Sequence, residues 1–334
     1  MNLRDNPDAL TGPRAPAEGT GDTRDEGRTA VHLLATRYPR TALPEIYNDV
    51  VTIRRRVAEA TLDADGIAAE HMDHHAAALA CGLSAWAEHD AGNTRVAFAT
   101  AQSGILHAVT NAVDANVVMW LRGLQSLMAY RAGWLHEALR YARLGRSAQE
   151  PHAGTARVWL HSLEALSQAA LGDALASSAA LRAAEDARGL ARDNEVDAAG
   201  GLLRFDTVRQ EAYEARARAF IPGAERRAIE TAEKVVHAYA GASPEVYSCT
   251  DEMGAHITLA LAYASLDEID AVAEALRPVF RLEPGRRVAG LVSATMLVHS
   301  RLRRPMRARE SRVRELQEEI EQFGQVPLTI DVLR

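Results

Sequence analysis

The residues best suited to chemistry lie in Glu70-His71-Met72-Asp73-His74-His75. Glu70 with His74, and His71 with His75, stand one helical turn apart, so either pair could hold a metal ion from one face. Glu252 and His256 repeat the four-residue spacing. A two-helix carboxylate–histidine site combining Glu70, His74, Glu252 and His256 would follow if those helices met. The competing reading is a solvated face near a helix start, because short motifs of this kind are weakly specific and a third ligand must come from elsewhere. His71, His74, His75 and Glu252 are therefore metal candidates only, and no metal or other cofactor is expected. The chain has no glycine-rich phosphate loop, no nucleophile elbow and no close cysteine pair. This weakens the case for an enzyme without removing it.

Arg301, Arg303, Arg304, Arg307, Arg309, Arg312 and Arg314 form the densest run of like charge. As a landing strip for nucleic acid it lacks interleaved aromatics, and Glu310, Glu315, Glu318, Glu319 and Glu321 offset it. A solvated capping helix is the simpler reading. The net charge of -7 opposes broad attraction to phosphate backbones or anionic membranes. Lys234 is the sole lysine among 38 basic residues, a coding bias that makes arginine content a poor signal of nucleic-acid binding. Cys81 and Cys249 are too few and too isolated for a disulfide framework. The N-terminus has no signal pattern, and no run approaches the roughly 20 apolar residues that span a bilayer. A cytoplasmic protein with no membrane partner is expected.

Helices must position all of these residues. Hydrophobic residues make up 47% of the chain and aromatics only 5%, while alanine is about a fifth, well above ordinary usage, which suits closely packed helices. Residues 114–148 read as one helical hairpin. Val118, Leu121, Leu124, Gln125 and Met128 precede the turn Arg131-Ala132-Gly133, and Leu135, Ala138, Leu139 and Ala142 follow it, all at three- and four-residue steps. Other hairpins turn at Asp90-Ala91-Gly92-Asn93, Leu171-Gly172-Asp173, Ile221-Pro222-Gly223 and Leu266-Asp267-Glu268, and Pro305 splits a last pair. Gly92, Gly133, Gly172, Gly223 and Leu266 stand 41, 39, 51 and 43 residues apart, within the range of helical repeat arrays. Stacked units of this kind give a curved solenoid with polar caps, and Val313, Leu316, Ile320 and Phe323 make the narrow stripe a terminal cap needs. The expected organisation is a disordered tail over 1–29, lead-in helices over 30–64, the solenoid over 65–323 and a C-terminal tail over 324–334. The fourth hairpin, 193–240, is the least regular and could hide a lid or a homodimer contact.

YRAGWLHEALRYA (130–142) and LAYASLDEIDAVAEALRPVFRLEP (261–284) resemble tetratricopeptide repeats, in which a small turn residue is followed five positions on by alanine and a proline closes the unit. Ala138 follows Gly133 in this way, Ala271 follows Leu266, and Pro284 closes the second stretch. The order Tyr38-Pro39, AWAEHDAGNTRVAF (85–98), MAYRAGWLHEAL (128–139) and ESRVRELQEEIEQF (310–323) resembles the C-terminal repeat half of actinomycete helix-turn-helix regulators. The resemblance implies an all-α, right-handed superhelical solenoid that acts on transcription through a partner. Residues 1–29 leave no room for the DNA-reading domain of those regulators, so direct DNA binding is not expected.

In tetratricopeptide arrays the first helix of each hairpin lines the concave surface. Carried onto this chain, that lining includes Trp86, His89, Trp120, Tyr130, Arg131, Trp159, His256 and Tyr263, an aromatic channel suited to a peptide or an amphipathic small molecule. Each tryptophan could equally pack between repeats. The Lys–Asn clamp by which some members grip a C-terminal carboxylate does not appear. Two functions remain: a non-catalytic regulator holding a protein or peptide partner in its groove, or a small-molecule sensor or biosynthetic enzyme, metal-dependent or not, using the groove as its pocket. An open aromatic trough favours the first and a closed pocket the second.

Overall fold

The computed structural model describes residues 20–59, 73–148, 153–303 and 311–325, and every regular element among them is helical. Two helices lead in, α1 (Thr20–Arg37) and α2 (Leu43–Glu59), joined by a 3-10 turn at Tyr38–Arg40. Helix α1 begins inside the stretch whose composition predicts a tail, and its Val31, Leu34 and Ala35 are fully or almost fully buried. Those three residues give the segment an apolar edge to bury, which offsets the entropy of ordering it. The first 19 residues, and the expected C-terminal tail beyond Gln325, lie outside the described residues.

Six hairpins follow among the described residues. The first three are α3 (His74–Asp90) with α4 (Thr94–Thr110), α5 (Ala115–Arg131) with α6 (Leu135–Arg146), and α7 (Thr155–Ala170) with α8 (Ala174–Leu190). A short insertion, α9 (Glu195–Ala198) and a 3-10 turn at Gly201–Leu203, precedes α10 (Thr207–Ala219) with α11 (Glu225–Ala240). The last two are α12 (Cys249–Ser265) with α13 (Ile269–Phe280) and α14 (Ala289–Leu302) with α15 (Ser311–Gln325). Side chains of Asp73, Asp114, Asp173, Asp206 and Ser248 accept from the first free N–H groups of α3, α5, α8, α10 and α12, fixing where each begins. Four hairpin turns place Gly92, Gly133, Gly172 and Gly223 at positive φ, and Asp267 takes the same conformation at the fifth. These five turns are thus observed where the sequence places them, and the split expected at Pro305 lies outside the described residues.

Each hairpin packs on the next in chain order. Helices α3, α5, α7, α10, α12 and α14 form an inner layer, each touching its successor, and their partners form an outer layer. The inner helices α3, α5 and α7 are buried nearly all round, whereas α6 buries only Ala138, Leu139, Ala142 and Gly145, as an outer amphipathic helix does. Helix α14 returns to touch α3 and α5, so the inner layer encloses a central space and does not open into a trough. The stripe Val313, Leu316, Ile320 and Phe323 of α15 is buried, capping the array. Of the arginine run, Arg304, Arg307 and Arg309 lie outside the described residues, and Arg312 pairs with Glu315 at 3.2 Å. No helix among the described residues is long and apolar enough to cross a membrane.

Candidate functional site

Trp86, Trp120 and Trp159 are 6%, 1% and 2% exposed. Trp86 stacks on Trp120 and Trp159 with ring centroids 6.4 and 5.9 Å apart, and Phe205 extends the stack at 6.2 Å from Trp159. The same contact is made twice: a Cβ at Gly82 on α3 would stand 2.1 Å from Trp120 on α5, and one at Gly123 on α5 would stand 2.6 Å from Trp159 on α7. A glycine on one inner helix therefore receives the tryptophan of the next. The Trp120 indole N–H donates to the Leu202 carbonyl at 3.1 Å, so the irregular insertion supplies both Leu202 and Phe205 to this dry core. Of the two readings open to each tryptophan, packing between repeats is the one with geometry behind it.

At the C-terminal ends of α3 and α5 the inner layer turns polar. Asp90, 2% exposed, accepts from the Tyr38 hydroxyl at 3.0 Å and from Arg131 Nη1 at 3.2 Å. Burial raises the Asp90 pKa, and the Arg131 charge with hydrogen bonds from Tyr38, Arg131 and Trp86 pulls it back. Burial likewise holds the Tyr38 hydroxyl well above its ordinary value, with Asp90 adding to the effect. Tyr38, Asp90 and Arg131, from three separate segments of the chain, thus meet in one buried network. The guanidinium of Arg131 lies against the start of α14, where a Cβ at Gly290 would stand 2.6 Å from its Cζ.

Beside this network is a well with about 520 Å³ of empty space, open solvent at its mouth included. Five inner helices line it. Its polar lining is Tyr130 and Arg131 from α5, Tyr213 and Arg216 from α10, and Thr250 and Asp251 from α12, with Leu127, Leu166 and Leu291 supplying apolar wall. Tyr130 is 8% exposed and its hydroxyl has no hydrogen-bond partner. Burial pushes its pKa up to about 12, and the nearby charges of Arg216 and Arg131 act the other way. Arg216 donates to the Gly254 carbonyl at 2.8 Å and to the Thr258 hydroxyl at 3.2 Å. Among the described residues it has no carboxylate partner. Asp251 is held instead by buried Arg209, at 3.2 Å.

The other groove candidates point elsewhere. His89 is 4% exposed with neither ring nitrogen partnered, and burial followed by the Arg131 charge lowers its pKa to about 3. It is a neutral core histidine. Burial lowers the His256 pKa against the Glu252 charge, and the Tyr263 hydroxyl donates to Glu233 on α11 at 3.3 Å. Of the eight expected groove residues, only Tyr130 and Arg131 line the well. Glu70 and His71 lie outside the described residues. His74 faces His107 with ring centroids 6.3 Å apart, His75 Nδ1 is 3.7 Å from Glu195, and Glu252 accepts from the Tyr247 hydroxyl at 2.8 Å. Among the described residues no three His, Cys, Asp or Glu side chains are grouped to hold a metal ion.

Sequence reasoning missed Tyr38, Asp90, Arg209, Arg216 and Asp251 as members of a site. One signal could have found part of it: Arg209, Tyr213 and Arg216 recur at four- and three-residue steps, a polar stripe on an inner helix where an apolar one is expected. The lining offers hydrogen-bond donors and positive charge, with no histidine or cysteine among it, an arrangement for holding a ligand. No protein-family model, no curated protein and no solved structure matches the chain.

Proposed function

We propose that this chain is a cytoplasmic, non-catalytic regulatory scaffold of tetratricopeptide-like, right-handed superhelical form, whose hold on a protein partner is set by a small molecule bound in the central well. One observation carries the small-molecule part: the unpartnered, buried hydroxyl of Tyr130 lines a polar well among the inner helices. An unsatisfied buried donor is costly, and a ligand that accepts from it removes the cost. The peptide-in-groove reading has less support, because the aromatic residues it relied on are consumed in packing between repeats. The repeat architecture and the order of Tyr38-Pro39, Trp86 to Asp90 and Tyr130-Arg131 support a transcriptional output carried by a partner, with no DNA contact by this chain.

The test is native mass spectrometry of the full chain purified from its own host. A one-to-one adduct of small-molecule mass, lost when Arg131 or Arg216 is replaced, is the expected result. A stoichiometric peptide released by alanine at Trp120, with the well left empty, would restore the groove reading in place of this one.

A further inference from the structure

Three guanidiniums and two carboxylates gather around the well once each lining charge is taken with the group bonded to it: Arg131 with Asp90, Arg209 with Asp251, and Arg216 without an acidic partner. One positive charge is left over. The first turns of α12 and α14 line the same space through Thr250, Asp251, Gly290 and Leu291, and helix N-termini add partial positive charge. Helix α14 starts without a side-chain cap, so its first N–H groups are not satisfied by one. The Tyr130 hydroxyl, buried and unpartnered, lines the well together with Arg216 and Arg131. These features call for an anion that accepts hydrogen bonds in the space that Tyr130 and Arg216 both line.

We propose that the well binds a small monocarboxylic acid, its carboxylate held by Tyr130 and Arg216 with Arg131 behind them and its short apolar tail against Leu127, Leu166 and Leu291. The inference rests on the small-molecule reading above and names the ligand class. Charge decides between oxyanions: a single surplus cation is matched by a carboxylate, whereas a phosphate dianion would bring one negative charge more than that surplus into a low-dielectric space. Arginine suits the planar carboxylate, which its fork can meet with two parallel bonds. Size decides the tail, since the roughly 520 Å³ of empty space includes the open mouth and what lies behind it takes only a short chain or a single ring.

Isothermal titration of the full chain at about pH 8 with acetate, hexanoate and benzoate, and with inorganic phosphate, which is mostly the dianion there, tests this. Hexanoate and benzoate bind one per chain, acetate binds more weakly, and phosphate does not compete. Arg216→Gln weakens the carboxylates by about ten-fold or more, the scale of a lost charge-assisted bond. Tyr130→Phe weakens them by about five-fold yet leaves the unliganded chain as stable as before or more so, because it removes an unsatisfied hydroxyl. That pair of results separates binding from folding. No uptake of any of the three acids, tighter binding of phosphate, or carboxylate binding indifferent to both substitutions overturns the proposal. A neutral small molecule recovered from the native protein would overturn it while leaving the small-molecule reading intact, and a peptide seated in the well would end both.

Discussion

Trp86 and Asp90, one turn apart on α3, mark the border between two regions held together by different physics. Around Trp86 the inner helices meet through stacked rings and facing glycines, with the indole of Trp120 spent on the Leu202 carbonyl. Around Asp90 they meet through a buried hydrogen-bonded network with Tyr38 and Arg131, and one step farther on a buried hydroxyl is left without a partner. At the dry end the Trp159 indole N–H also lacks a partner, but Trp159 does not line the well. The wet end keeps unspent hydrogen-bonding capacity, and that is where a ligand adds something the fold has not already supplied.

The comparison breaks most directly at the dry end. Trp120→Ala removes a ring that is 1% exposed and wedged against Gly82, and a cost of about 3–5 kcal/mol in urea denaturation is expected. A loss below about 1 kcal/mol would mean the stack is loosely packed and would revive the groove. At the wet end, Asp90→Ala leaves the Arg131 guanidinium and the Tyr38 hydroxyl without their acceptor. The expected cost is about 2–4 kcal/mol, lower than for a fully buried pair because Arg131 retains some exposure. Coupling to Arg131→Met in a double-mutant cycle measures the pair itself; additive losses would show that the network is not one unit.

Acidification separates the two ends again. His89 is buried between them, and its folded-state pKa of about 3 lies below its unfolded value. Below the unfolded pKa of about 6.5 the unfolded chain takes up a proton that the native chain refuses, so stability falls as pH drops toward 3. This amounts to about 2 kcal/mol by pH 5, at 1.36 kcal/mol per unit. Denaturation curves at pH 7.5 and pH 5 check it, with His89→Leu expected to flatten the difference; an unchanged slope in that variant would assign the effect to other groups.

The helices and their turns were legible because amphipathic periodicity and turn glycines are local signals: Gly92, Gly133, Gly172 and Gly223 mark the hairpins directly. The closure of the inner layer was not, since nothing in α14 says that it returns to α3. The candidate site was legible by halves. Tyr130 and Arg131 were found by counting back along a first helix from the turn at Gly133, whereas Asp90 was passed over beside His89. Arg216 and Asp251 come from helices about 85 and 120 residues farther along, and only closure of the array brings them to Tyr130. Tryptophan misled for a physical reason: a large ring on a first helix suits a ligand or a facing glycine equally well, and the sequence does not show which helix faces it.

The smallest effect comes from placing one methyl group at each end. At Gly123 a Cβ meets the Trp159 ring, itself 2% exposed with no room to retreat, so Gly123→Ala costs about 1–3 kcal/mol by overpacking, less any gain in helix propensity. At Gly290 the obstacle is the far end of a flexible arginine, which can swing aside. Gly290→Ala therefore changes stability by less than about 1 kcal/mol, yet it displaces Arg131 from behind the well and weakens the Asp90 pair. Its signature is lost ligand binding in a chain of near-normal stability. Equal stability losses at the two glycines would mean that Arg131 is pinned as firmly as Trp159, and the contrast between a packed end and a receptive one would fail.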